Sequence, residues 1–426
     1  MNSSILWFDA ALAAAMAGVT LTQIGLVWWF WNICGRPPAA SLPPESLPPA
    51  RVILCLRGAD PFLRATLDAL VNQDHPDYEV VIVVDAPTDP AWAIVHAFLN
   101  ETETHCPFTV TPLRTRPHQC SLKSASILQG LEALPPTIRT VALLDADVVP
   151  PAHWLRTLAS ELTDNTWAVT GNRWYCPPDR GLGSWTRVSW NAGALVQMVC
   201  FGIPWGGTLG LHRDLIDHPL LRQTWATAFC EDTSLPRVLR TLGKRCRFVP
   251  ALVAINREAV SLDSLLPWIS RQLLTARLYH PAWHLVFPFG LAAPTLVGLT
   301  CLATGFAVAT GRPAAAALHL GGIAAFLLSL PLLVWWIERA ARRGGGAAFR
   351  TDDRRVSQSW LQLLTGITVA QTTYPRCLWE AQTLQQCCWR GVRYAIEPGP
   401  TIRVLSDDAQ PDAAAADQAA RTNHSL

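Results

Sequence analysis

Three long apolar runs frame this chain. Ile5 to Trp31 is interrupted only by Asp9, a few hydroxyls and Gln23, and it is long enough to cross a bilayer. No basic leader or small-residue cleavage site accompanies it, so it predicts a retained anchor rather than a secretory signal. The other two, Trp283 to Thr310 and Ala314 to Ile337, are separated by Gly311-Arg312-Pro313 and predict a transmembrane hairpin. Between anchor and hairpin the pattern shortens. Val52 to Leu56, Tyr78 to Asp85, Phe108 to Leu113 and the run from Val141 read as strands. They alternate with helix-like stretches near Phe62 to Asn72, Ala91 to Asn100 and Ser121 to Leu134. Such alternation predicts an α/β domain with a mostly parallel sheet and helical crossovers.

The remaining segments are less regular. Gly35 to Ala50, with repeated Pro and Ser, predicts an extended spacer. Ser184 to Trp205 fits either an amphipathic helix on the bilayer surface or a buried packing helix. Leu262 to His280 predicts a helix capped by Asp263 or Ser264 that leads into the second span. Trp360 to Trp379 is apolar but carries Gln362, Gln371, Pro375 and Arg376, so a fourth span, a re-entrant piece and an interfacial helix all remain open. The Ala- and Asp-rich tail beyond Leu405 predicts disorder. The predicted organisation is an anchor (1–34), a linker (35–50), a soluble domain (51–281), a hairpin (282–338), a membrane-associated segment (339–404) and a tail (405–426).

Composition agrees with membrane residence: 50% of residues are hydrophobic and only 15% charged. No Lys or Arg precedes the first span, whereas Arg36, Arg271, Arg277, Arg339, Arg342 and Arg343 flank the spans on one side. That bias predicts an integral membrane protein whose 51–281 domain faces the cytoplasm. A net charge of +2 gives no nucleic-acid footprint. Twelve Cys without a CxxC fit scattered reduced thiols rather than a zinc module. Adjacent Cys387 and Cys388 fit packed thiols or acylation sites.

Candidate chemistry concentrates at strand ends. Asp145 and Asp147 close the run VALLDAD, at the carboxyl edge where open α/β sheets bind ligands. Two such acids fit a divalent cation, or a solvated turn and N-cap for the helix near His153 to Glu161. Asp85 ends another strand. Asp232, in CEDTSLPRVLRTLG, precedes a helix that Ser234 is better placed to cap, since Pro236 belongs in a first turn. Downstream, WISRQLLTAR supplies Arg271, Gln272 and Arg277, the last fitting a cation that snorkels at a membrane surface.

In this order, the acids and the arginine, followed by apolar spans, resemble a membrane-bound family 2 glycosyltransferase, closest to the ceramide glucosyltransferase group. The resemblance runs through LRGADPFL, DHPDYEV, VDAPTDPA, the lysine of CSLKSA, DAD, GGTLGLHRDLI, CEDTSL, WISRQ and WRGVRY. It departs at Trp268-Ile-Ser-Arg271-Gln272, where the family has Q/R-x-x-R-W. The arginine is kept while both flanking family residues are replaced, which puts acceptor contacts in question more than phosphate contacts.

The resemblance implies a nucleotide-sugar-binding, GT-A-like domain. It also implies inverting, metal-dependent transfer of a sugar, expected to be glucose from a UDP-sugar, to a membrane lipid hydroxyl. Asp232 is the implied general base, and Asp147 with Asp145 the implied Mg²⁺ or Mn²⁺ ligands. Asp85, Lys123, Asp145, Gly207 and Arg271 are the implied donor contacts, with Lys123 a mobile cation near the donor or a solvated helix lysine. Trp205, Trp268 and Gln272 are the implied acceptor contacts. Trp185, Trp190, Trp205, Trp268 and Trp283 suit the bilayer interface.

Three rival readings are a polyprenyl-phosphate glycosyltransferase, a processive polysaccharide synthase and an inactive membrane scaffold of the same fold. The synthase would keep Q-x-x-R-W and add spans. The polyprenyl enzyme fits CEDTSL through WRGVRY less well. The intact acidic motifs at Asp85, Asp145 with Asp147, and Asp232 disfavour the scaffold.

Overall fold

The computed structural model describes residues 3–38, 41–345, 349, 355–356 and 359–407. The strands are β1 (Ala50–Leu56), β2 (Tyr78–Val84), β3 (Phe108–Pro112), β4 (Thr140–Leu144), β5 (Thr166–Tyr175), β6 (Thr208–His212) and β7 (Arg245–Asn256). They form one sheet in the order β3-β2-β1-β4-β6-β5-β7. Strands β1 to β4 run parallel, β6 runs antiparallel to both β4 and β5, and β5 and β7 are parallel. This is a GT-A-like α/β fold with a mostly parallel central sheet.

Alternation along the strands clothes both faces, as a doubly wound sheet requires. Val52, Leu54 and Leu56 of β1 pack with Val80, Ile82 and Val84 of β2 against α2 (Leu63–Val71), α3 (Pro90–Glu101) and α5 (Trp154–Glu161). Ile53, Val141 and Leu143 point the other way. They meet α4 (Leu122–Gly130), α7 (Arg213–Asp217), α8 (Pro219–Trp225) and α9 (Glu231–Thr241). The chain order reverses direction between β1 and β4, where the carboxyl edge opens a crevice for ligands.

Among the described residues, three helices are long and apolar enough to span a membrane: α1 (Ser3–Cys34), of which Trp7–Cys34 qualifies, α11 (Trp283–Ala309) and α12 (Pro313–Gly344). Large apolar side chains such as Trp7, Leu302, Phe306 and Leu328 point outward from them, which is costly in water and favourable in lipid. The lone acid of α1 has a structural use. Buried Asp9 pairs with Arg312 in the α11–α12 turn and lies 3.4 Å from His319. At the opposite end, Arg343 of α12 packs over Gly35, so the far ends of α1 and α12 meet on the catalytic side. Among the described linker residues, only Pro44–Ser46 coils, as a single 3₁₀ turn.

Several boundaries differ from expectation. The Ser184 to Trp205 stretch is a packing helix, α6 (Leu182–Phe201), with Trp185, Val188, Ala192 and Leu195 buried. Trp185 and Trp205, expected at the bilayer interface, are therefore core residues: their rings fill space between elements. Ser261 caps α10 (Leu262–Tyr279), accepting from the Ser264 N–H, in place of Asp263 or Ser264. Helix α9 starts at Glu231, so Ser234 lies inside its first turn, donating to the Glu231 carbonyl at 3.0 Å, and is not the cap.

Trp360 to Trp379 belongs to α13 (Trp360–Thr383), which packs against α6 and α10 and is not among the three span-like helices. A Cβ on Gly366 would lie 2.4 Å from the Trp185 carbonyl oxygen, so only glycine allows this close crossing. Beyond it, β8 (Gln386–Trp389), β9 (Val392–Glu397) and β10 (Thr401–Asp407) form an antiparallel sheet. This sheet buries Cys387, Val392, Tyr394 and Ile402 on Val83, Leu113, Leu122 and Phe229 of the large domain. Residues 405–407, expected in the disordered tail, are instead the end of β10, held by its pairing with β9 and by ion pairs of Asp407. The rest of that tail lies outside the described residues.

Candidate active site

Register brings three strand ends together. Leu56 of β1 pairs with Val84 of β2, and Leu54 pairs with Leu144 of β4, so Arg57, Asp85 and Asp145 emerge side by side. A cavity of about 740 Å³ opens there. It collects Asp85, Lys123, Asp145, Asp147 and Asp232 with Arg271 and Gln272, and its wall includes Trp205 and Trp268. Gly207 alone of the expected site residues does not line it. Its carbonyl accepts from the Asp145 N–H at 3.4 Å, and a Cβ there would strike the Trp205 indole at 2.2 Å. Glycine thus serves the turn that supports Asp145.

Lys123 is not a mobile cation. At the first turn of α4, its Nζ lies 2.6 Å from Asp145 and 2.7 Å from Glu231. Burial alone would lower its pKa, but Asp145 and Glu231 raise it well above the ordinary lysine value. The reciprocal holds for Asp145, where burial pushes the carboxyl up and Lys123 brings it below its usual value. Asp147 has no such cation. Burial, with Asp145 and Asp60 nearby, pushes it up to about 7, and its only direct partner among the described hydrogen bonds is the Asn256 amide at 3.3 Å.

That uncompensated acid is the observation that fits a divalent cation. Two carboxylates are too few for an all-protein site, and no group of three or more potential ligands gathers among the described residues. Magnesium-type sites, however, use one or two carboxylates and take further oxygens from a substrate's phosphates. Asp147 and Asp145 fit such a shared site.

Asp232 is fixed by donors rather than by a cation. Its Oδ2 accepts from the Gly206 N–H at 2.8 Å, and its Oδ1 accepts from the Thr233 N–H at 2.5 Å and from Cys230 Sγ at 2.9 Å. Asp85 is held by Arg57 at 2.8 Å and Arg116 at 3.0 Å. Both arginines also pair with Asp407 from β10. Arg271 stacks over Trp389 at 5.0 Å, and burial lowers its pKa. Trp205 and Trp268, expected as acceptor contacts, also frame Arg173 at 5.3 and 4.9 Å, an arrangement that orients this cation by cation–π attraction.

Sequence reasoning missed Arg57, Arg116, Arg173, Glu231 and Arg390. Arg57 carried a signal, because it follows β1 at the edge where Asp85 and Asp145 were recognised. Glu231 stood next to Asp232. Arg390 lies in the WRGVRY block, whereas Arg116 and Arg173 reach the site through a loop and through β5, which no local pattern reports.

Residues 51–217 match the family model described as glycosyl transferase family 2. No curated protein sequence matches the chain. Among solved structures, a mannosyltransferase from Pyrobaculum calidifontis, solved with GDP-Man and Mn²⁺, is 18% identical over 87% of this chain and 99% of its own, with a TM-score of 0.49. A glucosyl-3-phosphoglycerate synthase from Mycobacterium tuberculosis, solved with Mn²⁺, UDP and glucosyl-3-phosphoglycerate, is 14% identical over 56% of this chain and 85% of its own, with a TM-score of 0.38.

Proposed function

We propose that this chain, whose residues 51–217 match the glycosyl transferase family 2 model, is a family 2 glycosyltransferase that transfers a hexose from a nucleotide-sugar to the hydroxyl of a membrane lipid. The observation that carries this reading is the extent of the cavity. It begins at Asp145, Asp147 and Asp232 and continues between the apolar helices to Val27, Phe289, Ala293, Leu330, Val334 and Ile367. A soluble acceptor needs no such apolar extension, whereas exposing a lipid chain to water costs about 0.8 kcal/mol per CH₂.

In the reaction, Asp232 removes the acceptor's hydroxyl proton as the acceptor oxygen bonds to the anomeric carbon. The bond from that carbon to the diphosphate oxygen breaks on the opposite face, so the anomeric configuration inverts. Backbone donors at Gly206 and Thr233 orient Asp232 without neutralising it. Mg²⁺ or Mn²⁺ bound at Asp147 and Asp145 would neutralise charge on the departing nucleoside diphosphate. Arg271 supplies a planar cation for the phosphates, Lys123 holds Asp145 ionised, and Asp85 meets the base or ribose. Trp205, Trp268 and Gln272 form the acceptor side. UDP-glucose is the expected donor, and the cationic flanks support a cytoplasmic catalytic domain.

The test uses purified full-length protein in nanodiscs with radiolabelled UDP-glucose, Mn²⁺ and a total membrane lipid extract. Label should move into the organic phase and fail to do so with EDTA. Label that remains in water as free glucose or soluble glycoside would reject the lipid acceptor.

A further inference from the structure

Helices α1 and α11 do not close against each other along their whole length. On α1, Ala15, Gly18, Val19, Thr22 and Gln23 recur at the spacing that places them on one helix face. They border a cleft of about 380 Å³ whose other wall is Phe289, Ala292 and Ala293 of α11. Small residues leave the gap. A Cβ added at Gly18 meets nothing within 4 Å, and Gly18, Thr22 and Ala292 are exposed on the side that a bilayer would cover.

The cleft adjoins the catalytic cavity. Gln23, Phe289 and Ala293 line both. One of them is also polar and unsatisfied: Gln23 Oε1 is buried without a hydrogen-bond partner. The neighbouring hydroxyls are already used, Thr20 donating to the Met16 carbonyl at 2.9 Å and Thr22 to the Gly18 carbonyl at 2.8 Å. An unmet acceptor inside hydrocarbon is costly, so a polar residue there points to a ligand. Gln23 precedes the end of α1 at Cys34 by about 16 Å at 1.5 Å per residue, well inside the span-like stretch Trp7–Cys34.

We propose that a lipid enters the catalytic cavity sideways from the bilayer through the cleft between α1 and α11, and that Gln23 Oε1 accepts a hydrogen bond from a hydroxyl or amide N–H of that lipid. The proposal rests on the lipid-acceptor reading and adds to it an entrance and a residue that selects the acceptor. Phe289, at the junction of cleft and cavity, is the side chain that must rotate for a chain to pass.

Photolabelling in nanodiscs tests it without requiring turnover. The probes are a diacylglycerol and a ceramide, each with an acyl-chain diazirine, and labelled peptides are identified by mass spectrometry. In the wild type, label should appear on α1 and α11 at the cleft and on Leu330, Val334 and Ile367 within the cavity. Gly18→Phe and Ala292→Phe, at outward positions with room for a ring, should lower cavity labelling at least tenfold while eluting as the wild type does on size exclusion. Gly298→Phe on α11, where an added Cβ also meets nothing, should leave labelling unchanged. Gln23→Leu should lower cavity labelling severalfold, and more for the ceramide, which offers an amide and hydroxyls. Equal cavity labelling in the wild type and both bulky variants would overturn the entrance while leaving the lipid acceptor intact. Equal labelling in Gln23→Leu would overturn the role of its amide. No cavity labelling of the wild type by either probe would overturn the lipid acceptor and the entrance together.

Discussion

At the scale of single residues, the acids of the site divide by what neutralises them. Asp145 has Lys123, Asp85 has two arginines, and Asp232 has only backbone and thiol donors, which leaves its carboxylate free to take a proton. Asp232→Asn should therefore lower transfer by about 10²–10⁴-fold while nucleotide affinity stays within a few fold. Steady-state transfer beside calorimetric UDP binding checks this, and near wild-type transfer would remove Asp232 from the mechanism.

Asp147→Ala should abolish the difference in UDP affinity with and without Mn²⁺, since its carboxylate is the uncompensated charge. The same acid predicts a pH dependence. Raised to about 7 in the folded, metal-free protein, it keeps a proton that the unfolded chain releases near the ordinary carboxylate pKa of about 3.9. The folded state thus binds more protons in that window, so metal-free stability should fall as pH rises from about 4 to about 7. Divalent binding displaces this proton and should tighten over the same range. Melting temperatures in EDTA and in Mn²⁺ at several pH values give both slopes, and Asp147→Asn should flatten them.

Among elements, the small C-terminal sheet contributes most beyond its size. It delivers Trp389 to Arg271, Asp407 to Arg57 and Arg116, and Arg390 to the Arg57 carbonyl. Its attachment is hydrophobic: Tyr394, 1% exposed, packs edge-on against Phe229 at 5.2 Å. Tyr394→Ala should cost about 3–5 kcal/mol, the usual range for truncating a buried aromatic side chain, and should weaken UDP binding as the sheet loosens. Tyr394→Phe removes only the hydroxyl that accepts from the Leu122 N–H at 3.4 Å and should cost about 1 kcal/mol. Thermal unfolding and protease sensitivity of the two variants separate these outcomes.

For the whole molecule, helix ends set the sidedness. Cys34 and Gly344 approach closely beside the catalytic domain, and Asp9 meets Arg312 at the other end. Since α13 and the second sheet pack on the catalytic domain, residues 103 and 400 should label from one side of a sealed vesicle and residue 310 from the other. Single Cys at Glu103, Thr310 and Pro400 in a Cys-depleted chain, labelled with a membrane-impermeant maleimide, gives the answer. Labelling of 400 with 310 would mean that α13 crosses the bilayer. Cytoplasmic exposure of 103 is the outcome expected from the cationic flanks, and the same vesicles, of known orientation, test it.

What the sequence determined by itself was whatever a local pattern encodes. Runs above about 18 apolar residues named the three span-like helices, β-branched runs named the parallel strands, and the two that end in Asp marked their reactive edge. Asp85, Asp145, Asp147 and Asp232 were legible because each sits in a short, ordered motif. Tertiary structure alone decided what surrounds them. The pinning of Lys123 by Glu231, the aromatic frame of Arg173, and the cover of Trp389 and Arg390 all join residues far apart in the chain. The burial of Trp185 and Trp205 was equally hidden, because an indole suits a membrane interface and a protein core alike until packing chooses between them. The cavity that runs from carboxylates to the span-like helices has no sequence signature at all. It is space left between elements, and only their assembly creates it.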